Sequence, residues 1–298
     1  MALRWPYWKP AAIARPKREK TRARRRLRRI VFRIPHFTIL CTWQRPAEEG
    51  GEEAVRLEGK IALVTGAARR VGRAIALALA GRGARVAVHY RSSREEAESL
   101  CKELSRLSGG EAIAVRADLS DPAAPRKLAQ KIAKRFGAVH VLVNNASLYE
   151  KNPFQTTSLR DWDRHLEVNL RAPFLLSQAV APAMRRAREG KIINIADWAA
   201  LRPYAGYIPY CVSKAGLLCL TTALAKELSP WVQVNALMPG PVLLPESFTQ
   251  RQRRAVIRAT LVKRLGSPED VARAALFLIE EDFITGAALP VDGGRLIA

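Results

Sequence analysis

A chain of 298 residues with 48% hydrophobic side chains holds enough apolar material for one large α/β domain, and on reading no run approaches the roughly 18 apolar residues of a membrane span. The net charge of +23 comes from 50 Lys/Arg against 27 Asp/Glu, and residues 1–54 alone hold 14 Lys/Arg and 5 Glu. Four cysteines (Cys41, Cys101, Cys211, Cys219) without CxxC spacing exclude a disulfide framework, give no metal site, and point to a reducing, cytoplasmic setting.

Residues 1–54 are Arg-rich, broken by Pro and without sustained periodicity. They read as a basic, disordered N-terminal extension before a folded domain over 55–298, with Glu48–Glu53 as linker. The run Arg22–Arg29 suits phosphate backbones or anionic lipid, and an Arg-rich leader is also the texture of an organellar targeting segment. A solvated tail with no part in the chemistry is the simplest reading.

From Lys60 strands and helices alternate, the pattern of a parallel α/β sheet. Ile61–Thr65 predicts a buried strand, Gly66–Gly72 a tight turn and Val71–Arg82 a helix. A glycine turn at such a junction aims backbone N–H groups at a spot where a pyrophosphate can sit. Arg70 fills the middle glycine position, so the fingerprint is incomplete. The next strand, Arg85–Tyr90, ends in Arg91-Ser92-Ser93, where a unit binding NAD usually has an Asp or Glu for the ribose hydroxyls. Arg91 and the hydroxyls suit a 2′-phosphate and favour NADPH; the alternative is a solvent-facing Arg beside a helix cap.

A helix over 94–108, a strand over 112–116 and a helix over 123–136 follow, with Asp118 between the last two either accepting an adenine amino group or starting a turn. Strand Val139–Val143 delivers Asn144-Asn145-Ala146-Ser147 to the sheet's C-terminal edge, where amides hold a ribose or brace a neighbouring strand. The helical pattern resumes at Ser158. Asn169 falls inside it, and an Asn there is unfavourable by propensity, which implies a task for its side chain.

The apolar run from Ile192 predicts a buried strand with Asp197 at its end, and Tyr210–Leu228 predicts a helix with Tyr210 and Lys214 on one face. A phenol has a reference pKa of about 10, and an ammonium within reach is expected to pull it down. Val232–Ala236 is a sixth strand, leading to Pro239-Gly240. Residues 241–265 lack a core stripe and read as a mobile substrate lid. Ser267 caps a helix with Pro268 at its first position, and the strand Ala287–Pro290 precedes Asp292-Gly-Gly294.

The Thr65–Gly72 turn, Asp118, Asn144-Asn-Ala, Asn169, Tyr210-x-x-x-Lys214, Pro239-Gly240 and Asp292-Gly-Gly stand in the order of the short-chain dehydrogenase/reductase family, which residues 57–298 resemble. The resemblance implies a Rossmann-type, doubly wound, seven-stranded parallel sheet flanked by helices, and a homotetramer formed through helices around 158–187 and 210–228. It implies Tyr210 as proton relay, Lys214 on the nicotinamide ribose and Asn169 holding a water chain. NADPH contacts fall to Thr65, Gly66, Arg69, Arg70, Val71, Gly72, Tyr90, Arg91, Ser92, Asp118, Leu119, Asn145, Ala146, Ser147, Tyr210, Lys214, Pro239 and Gly240.

Two departures narrow this. Asp197 stands thirteen residues before Tyr210, where the family has its catalytic Ser, and Arg70 replaces the central Gly. With His89-Tyr-Arg-Ser92 and Asn145-Ala-Ser147, these resemble the pteridine reductase branch. By that resemblance Ser147 touches cofactor and substrate, Tyr149 sandwiches the pterin against the nicotinamide, Arg70 reaches the phosphates and the substrate, and Tyr207 lines the pocket. An ionised Asp197 beside a developing alkoxide is wrong for carbonyl reduction. Reduction of a C=N bond needs a proton at the ring nitrogen, which a partly buried carboxyl can store and pass through Tyr210. Two alternatives stand: a carbonyl reductase acting on 3-oxoacyl thioesters or other ketones, and a dinucleotide-binding regulator using its basic arm on nucleic acid. The complete Tyr/Lys/Asn set weighs against the second.

Overall fold

The computed structural model describes residues 56–298, together with the backbone of β1 (Ile30–Ile34) and β2 (Phe37–Cys41). These two strands pair antiparallel, with Ile30 opposite Cys41 and Ile34 opposite Phe37. The rest of the basic extension expected over 1–54, including Arg22–Arg29, lies outside the described residues.

Strands and helices then alternate: β3 (Ile61–Val64), α1 (Arg70–Ala80), β4 (Arg85–Tyr90), α2 (Arg94–Ser108), β5 (Ile113–Arg116), α3 (Ala124–Phe136) and β6 (Val141–Asn144). After these come α4 (Leu159–Leu166), a π-helical turn at Glu167–Arg171, α5 (Ala172–Ala187), β7 (Gly190–Ile195), α6 (Ile208–Leu228) and β8 (Val232–Pro239). The chain closes with α7 (Gln250–Arg258), α8 (Pro268–Glu280) and β9 (Ala288–Val291). The seven strands β3 to β9 form one parallel sheet in the order β5-β4-β3-β6-β7-β8-β9. Strand order reverses between β3 and β6, the place where sheets of this kind open a crevice for ligands.

Successive strand residues point to opposite faces, so the same strand feeds two cores. Ala62, Val64, Val86 and Val88 join the cluster under α1, α2 and α8, whereas Ile61, Leu63 and Ala87 join the one under α3 and α5. Burial of each such Leu, Ile or Val contributes about 1.5–3 kcal/mol.

Two elements differ from the sequence reading. Helix α6 is long and apolar enough, by length and composition, to cross a membrane, where no such stretch was expected. Its apolar residues have a nearer use: it lies against β8, with Leu217, Ala225 and Leu228 buried. The polar stretch 241–265 contains a regular helix, α7, which buries no residue and opens with a Thr249–Gln252 capping box.

Candidate active site

The turn after β3 is fixed by two side chains from neighbouring strand ends. Thr65 Oγ1 accepts from the Asn145 and Ala146 amides, both at 2.9 Å, and Asn145 Nδ2 donates to the Thr65 and Gly66 carbonyls at 2.8 and 3.1 Å. Of the two roles open to Asn145, the observed bonds are bracing ones. The Gly66 amide, at φ 60°, donates to His89 Nδ1 at 3.0 Å, and His89 Nε2 reaches the Ala117 carbonyl at 3.2 Å. A carbonyl only accepts, so the proton is assigned to Nε2 and Nδ1 is left as acceptor. Burial lowers the His89 pKa to about 4, against the opposing pull of the Ala117 bond and Asp118.

A Cβ built on Gly72 would stand 2.4 Å from the Gly66 carbonyl oxygen and 2.5 Å from Asn145 Nδ2. This is a cradle only glycine permits, and the start of α1 beside it has neither a side-chain cap nor an acid in its first turn. Exposed N–H groups at such an end fit a phosphate. Arg70 adopts φ 57°, a left-handed conformation natural to the glycine it replaces, and its guanidinium reaches the Leu243 carbonyl at 3.4 Å. Arg69 pairs with Glu96 of α2.

Farther along the edge, Arg91 and Ser92 are exposed at the end of β4, while Tyr90 is buried in the α1/α2 core and Leu119 in the opposite core. These two therefore present no free side chain to a ligand. Asp118 Oδ1 accepts from the Ser120 amide and hydroxyl at 3.0 and 2.8 Å, bonds that hold its pKa below the usual carboxylate value. Its turn-starting role is the one seen. Gly240 lies so near Asp292 that an added Cβ would come within 2.6 Å of the Asp292 Cα.

At the end of β7, Asp197 caps a short 3₁₀ turn, Trp198–Ala200. Its Oδ1 accepts from the Ala199 amide at 2.7 Å and the Tyr204 hydroxyl at 3.2 Å, and its Oδ2 accepts from the Tyr210 hydroxyl at 2.7 Å. Pro209 occupies the first turn of α6, where a missing N–H costs nothing, and sets the entry that brings Tyr210 to the carboxyl. Lys214, one turn on, is buried and donates to the Ile195 carbonyl at 2.7 Å. Its Nζ lies 5.8 Å from the Tyr210 ring centre.

The electrostatics correct one expectation. Burial lowers the Lys214 pKa to about 8, with the Asp197 charge pulling the other way. Tyr210 is not made more acidic by it: burial first, and then the Asp197 charge, push the phenol well above its usual value. Burial also raises Asp197, against the Ala199 amide, Tyr210, Lys214 and Tyr204, which all favour the carboxylate. Burial thus moves both the carboxyl and the ammonium toward neutral pH and moves the phenol away from it.

Asn169 sits in the π-turn, fully buried, its Oδ1 accepting from the Leu148 amide and its Nδ2 donating to the Leu148 carbonyl and Ser213 Oγ. The side chain is spent on bracing the loop after β6. Pro173, four residues on, has no N–H, so the Asn169 carbonyl lacks the usual α-helical donor.

The loop after β6 closes one side of the site. Tyr149 stacks on Tyr207 at 4.8 Å and 15°, and stands edge-on to Tyr210 at 4.8 Å. A flat ligand against Tyr149 must use its other face or displace Tyr207. Ser147 is exposed beside it. Sequence reasoning does not single out Tyr204, which lies in a loop without periodicity, and it includes His89 in the His89-Tyr-Arg-Ser92 run without giving its side chain a role. A surface cleft of about 530 Å³ on α4, lined by Ser120, Arg160, Asp163, Arg164 and Glu167 among others, contains none of these groups.

Comparison with known proteins adds three findings. A family model described as enoyl-(acyl carrier protein) reductase matches residues 66–295. The 3-oxoacyl-(acyl-carrier-protein) reductase FabG of Staphylococcus epidermidis is 34% identical over 240 residues, 79% of this chain and 98% of its own length, and a short-chain type dehydrogenase/reductase of Picea abies is 35% identical over 253 residues, 80% and 93%. Among solved structures, FolM alternative dihydrofolate reductase 1 of Brucella canis, complexed with NADP, matches with a TM-score of 0.76 at 33% identity, covering 82% of this chain and 96% of its own.

Proposed function

The chain belongs to the short-chain dehydrogenase/reductase family, and on that premise we propose that this oxidoreductase is an NADPH-dependent pteridine reductase acting on dihydropterin or dihydrofolate-type rings. The observation that carries the reading is the 2.7 Å bond from Tyr210 to a carboxyl whose pKa is raised by burial. The residues fit the cofactor: the Gly66–Gly72 cradle for its pyrophosphate, Arg91 and Ser92 for a 2′-phosphate, and Lys214 for the nicotinamide ribose. The NADP complex of the FolM relative supports the same choice.

NADPH, when bound, supplies the hydride for the C=N carbon. Asp197 holds the matching proton, Tyr210 passes it to the ring nitrogen, and the buried Lys214 charge keeps the emptied carboxylate stable. Tyr149 offers an aromatic face to a flat heterocycle, with Ser147, Arg70 and Tyr207 around it. Asn169 holds the Tyr149 loop through Leu148.

A second reading, reduction of a 3-oxoacyl thioester, is favoured by the FabG similarity. The discriminating assay follows NADPH oxidation with dihydrobiopterin or dihydrofolate beside a β-keto thioester. Pterin turnover is expected; fast thioester turnover without any on pterins refutes the first reading. Asp197→Ser should lower pterin reduction at least tenfold while NADPH affinity stays within about twofold, since a general acid contributes roughly 10²–10⁴ in rate. Equal loss of both would make Asp197 structural. Free Cys101, Cys211 and Cys219 support a reducing, cytoplasmic setting, and exposed Leu159, Phe174 and Val212 on α4, α5 and α6 support a homotetramer through those helices. The regulatory reading rests on the basic run Arg22–Arg29, which lies outside the described residues.

A further inference from the structure

Tyr204 lies in the connection between the Trp198–Ala200 turn and α6, and its hydroxyl donates to Asp197 Oδ1 at 3.2 Å. The same oxygen accepts from the Ala199 amide, and the other oxygen accepts from Tyr210. Each of these donors stabilises the charged carboxylate and gives nothing comparable to the neutral acid. Two of the three cannot vary freely: one is main chain, and the other is the phenol in line with the substrate. The third is a separate side chain, held in place by its own packing. Its ring lies against Trp198 at 5.5 Å and 52°, and edge-on to Tyr207 at 5.5 Å and 87°. Gly206, at φ 81°, shapes the turn between Tyr204 and Tyr207.

We propose that Tyr204 is a positioning residue for the reaction: its hydroxyl keeps the Asp197 carboxyl directed at Tyr210 and sets the pH range over which that carboxyl carries the transferable proton. The inference rests on the reading of Asp197 as the proton donor. The groups facing Asp197 are Tyr210, Cys211 and Lys214 from α6, Tyr204 from the preceding connection and Tyr149 from the loop after β6. Among them Lys214 is the cation, and its charge favours the carboxylate, as the Tyr204 bond does. Burial opposes both and is the largest influence. Tyr204 therefore limits how far the Asp197 acidity is suppressed. Without its hydroxyl the carboxyl stays protonated to higher pH.

The test is Tyr204→Phe, which keeps the ring packing and removes the hydroxyl, with its bond to Asp197 and its interaction with the Tyr149 hydroxyl. In the wild-type protein kcat for dihydropterin reduction is expected to fall as pH rises through the Asp197 titration. In the variant that falling limb moves to higher pH by about 0.5–1 unit, the share of one donor among the two or three that together lower a carboxylate by some two units. KM for NADPH is unchanged. The same shift is expected without cofactor in the infrared carboxyl C=O band, assigned to Asp197 by its loss in Asp197→Asn. A limb and a band midpoint that stay put, or move down, overturn the proposal, as does a uniform drop in kcat with no shift. Should the wild-type protein turn over no dihydropterin, the pteridine reading fails, and the infrared midpoint alone still decides the role of Tyr204.

Discussion

Acidification should unfold this protein partly through one imidazole. His89 is buried, with a pKa lowered from 6.5 to about 4, and its Nδ1 lone pair accepts the Gly66 amide at the cofactor turn. Protonation would set an N–H against that amide and place a charge in the sheet. Between the two values the unfolded chain binds a proton that the folded one refuses. The contribution is therefore complete above pH 6.5 and is lost as pH falls through about 4. A difference of 2.5 units at 1.36 kcal/mol each corresponds to about 3 kcal/mol, of which about 2 kcal/mol is gone by pH ~4.5. His140, also lowered by burial, acts in the same direction, and Asp197, raised, acts against it, so a variant is needed to isolate the imidazole. Urea unfolding of the wild-type protein and His89→Gln at pH 7 and pH ~4.5 supplies the comparison. The wild-type protein should lose about 2 kcal/mol more than the variant over that interval. Parallel losses would refute the assignment of a neutral, accepting His89.

Gly72→Ala drives a Cβ into the Gly66 carbonyl and Asn145. Overpacking costs about 1–3 kcal/mol, so with the strain taken up by the turn the Kd for NADPH, read by fluorescence titration, should rise roughly 10- to 100-fold. Asn169→Ala leaves the Leu148 amide and carbonyl without their partner and Ser213 Oγ with its bond to the Tyr210 carbonyl, and about 2–4 kcal/mol should be missing in a urea titration. The dihydropterin KM should rise with it, because the Tyr149 loop loses its brace.

The sheet was legible because buried parallel strands announce themselves as apolar runs, and Val86, Val88 and Leu142 need no more than that. Asp197 and Tyr210 were legible as a pair because a strand end and a helix start thirteen residues apart have few ways to meet. The acidity of Tyr210 was not, since its sign depends on depth and on which charge is nearer, and neither is written in the i, i+4 spacing to Lys214. His89 stood out as part of the His89-Tyr-Arg-Ser92 run, but its task did not, because that is defined by two backbone groups just past the ends of β3 and β5. Helix α7 escaped because its Arg and Gln residues hide the periodicity that burial would have imposed, although Thr249 and Gln252 were at capping-box spacing.

Arg70 has a wider consequence. Glycine would occupy its left-handed conformation more comfortably, so the arginine is carried at a backbone cost. That less relaxed backbone is held where the turn meets Leu243, and it comes with a cation at the mouth of the crevice. Arg70→Gly would relax the turn and discharge the crevice mouth together, so fold stability and anion affinity there are set against each other at one residue.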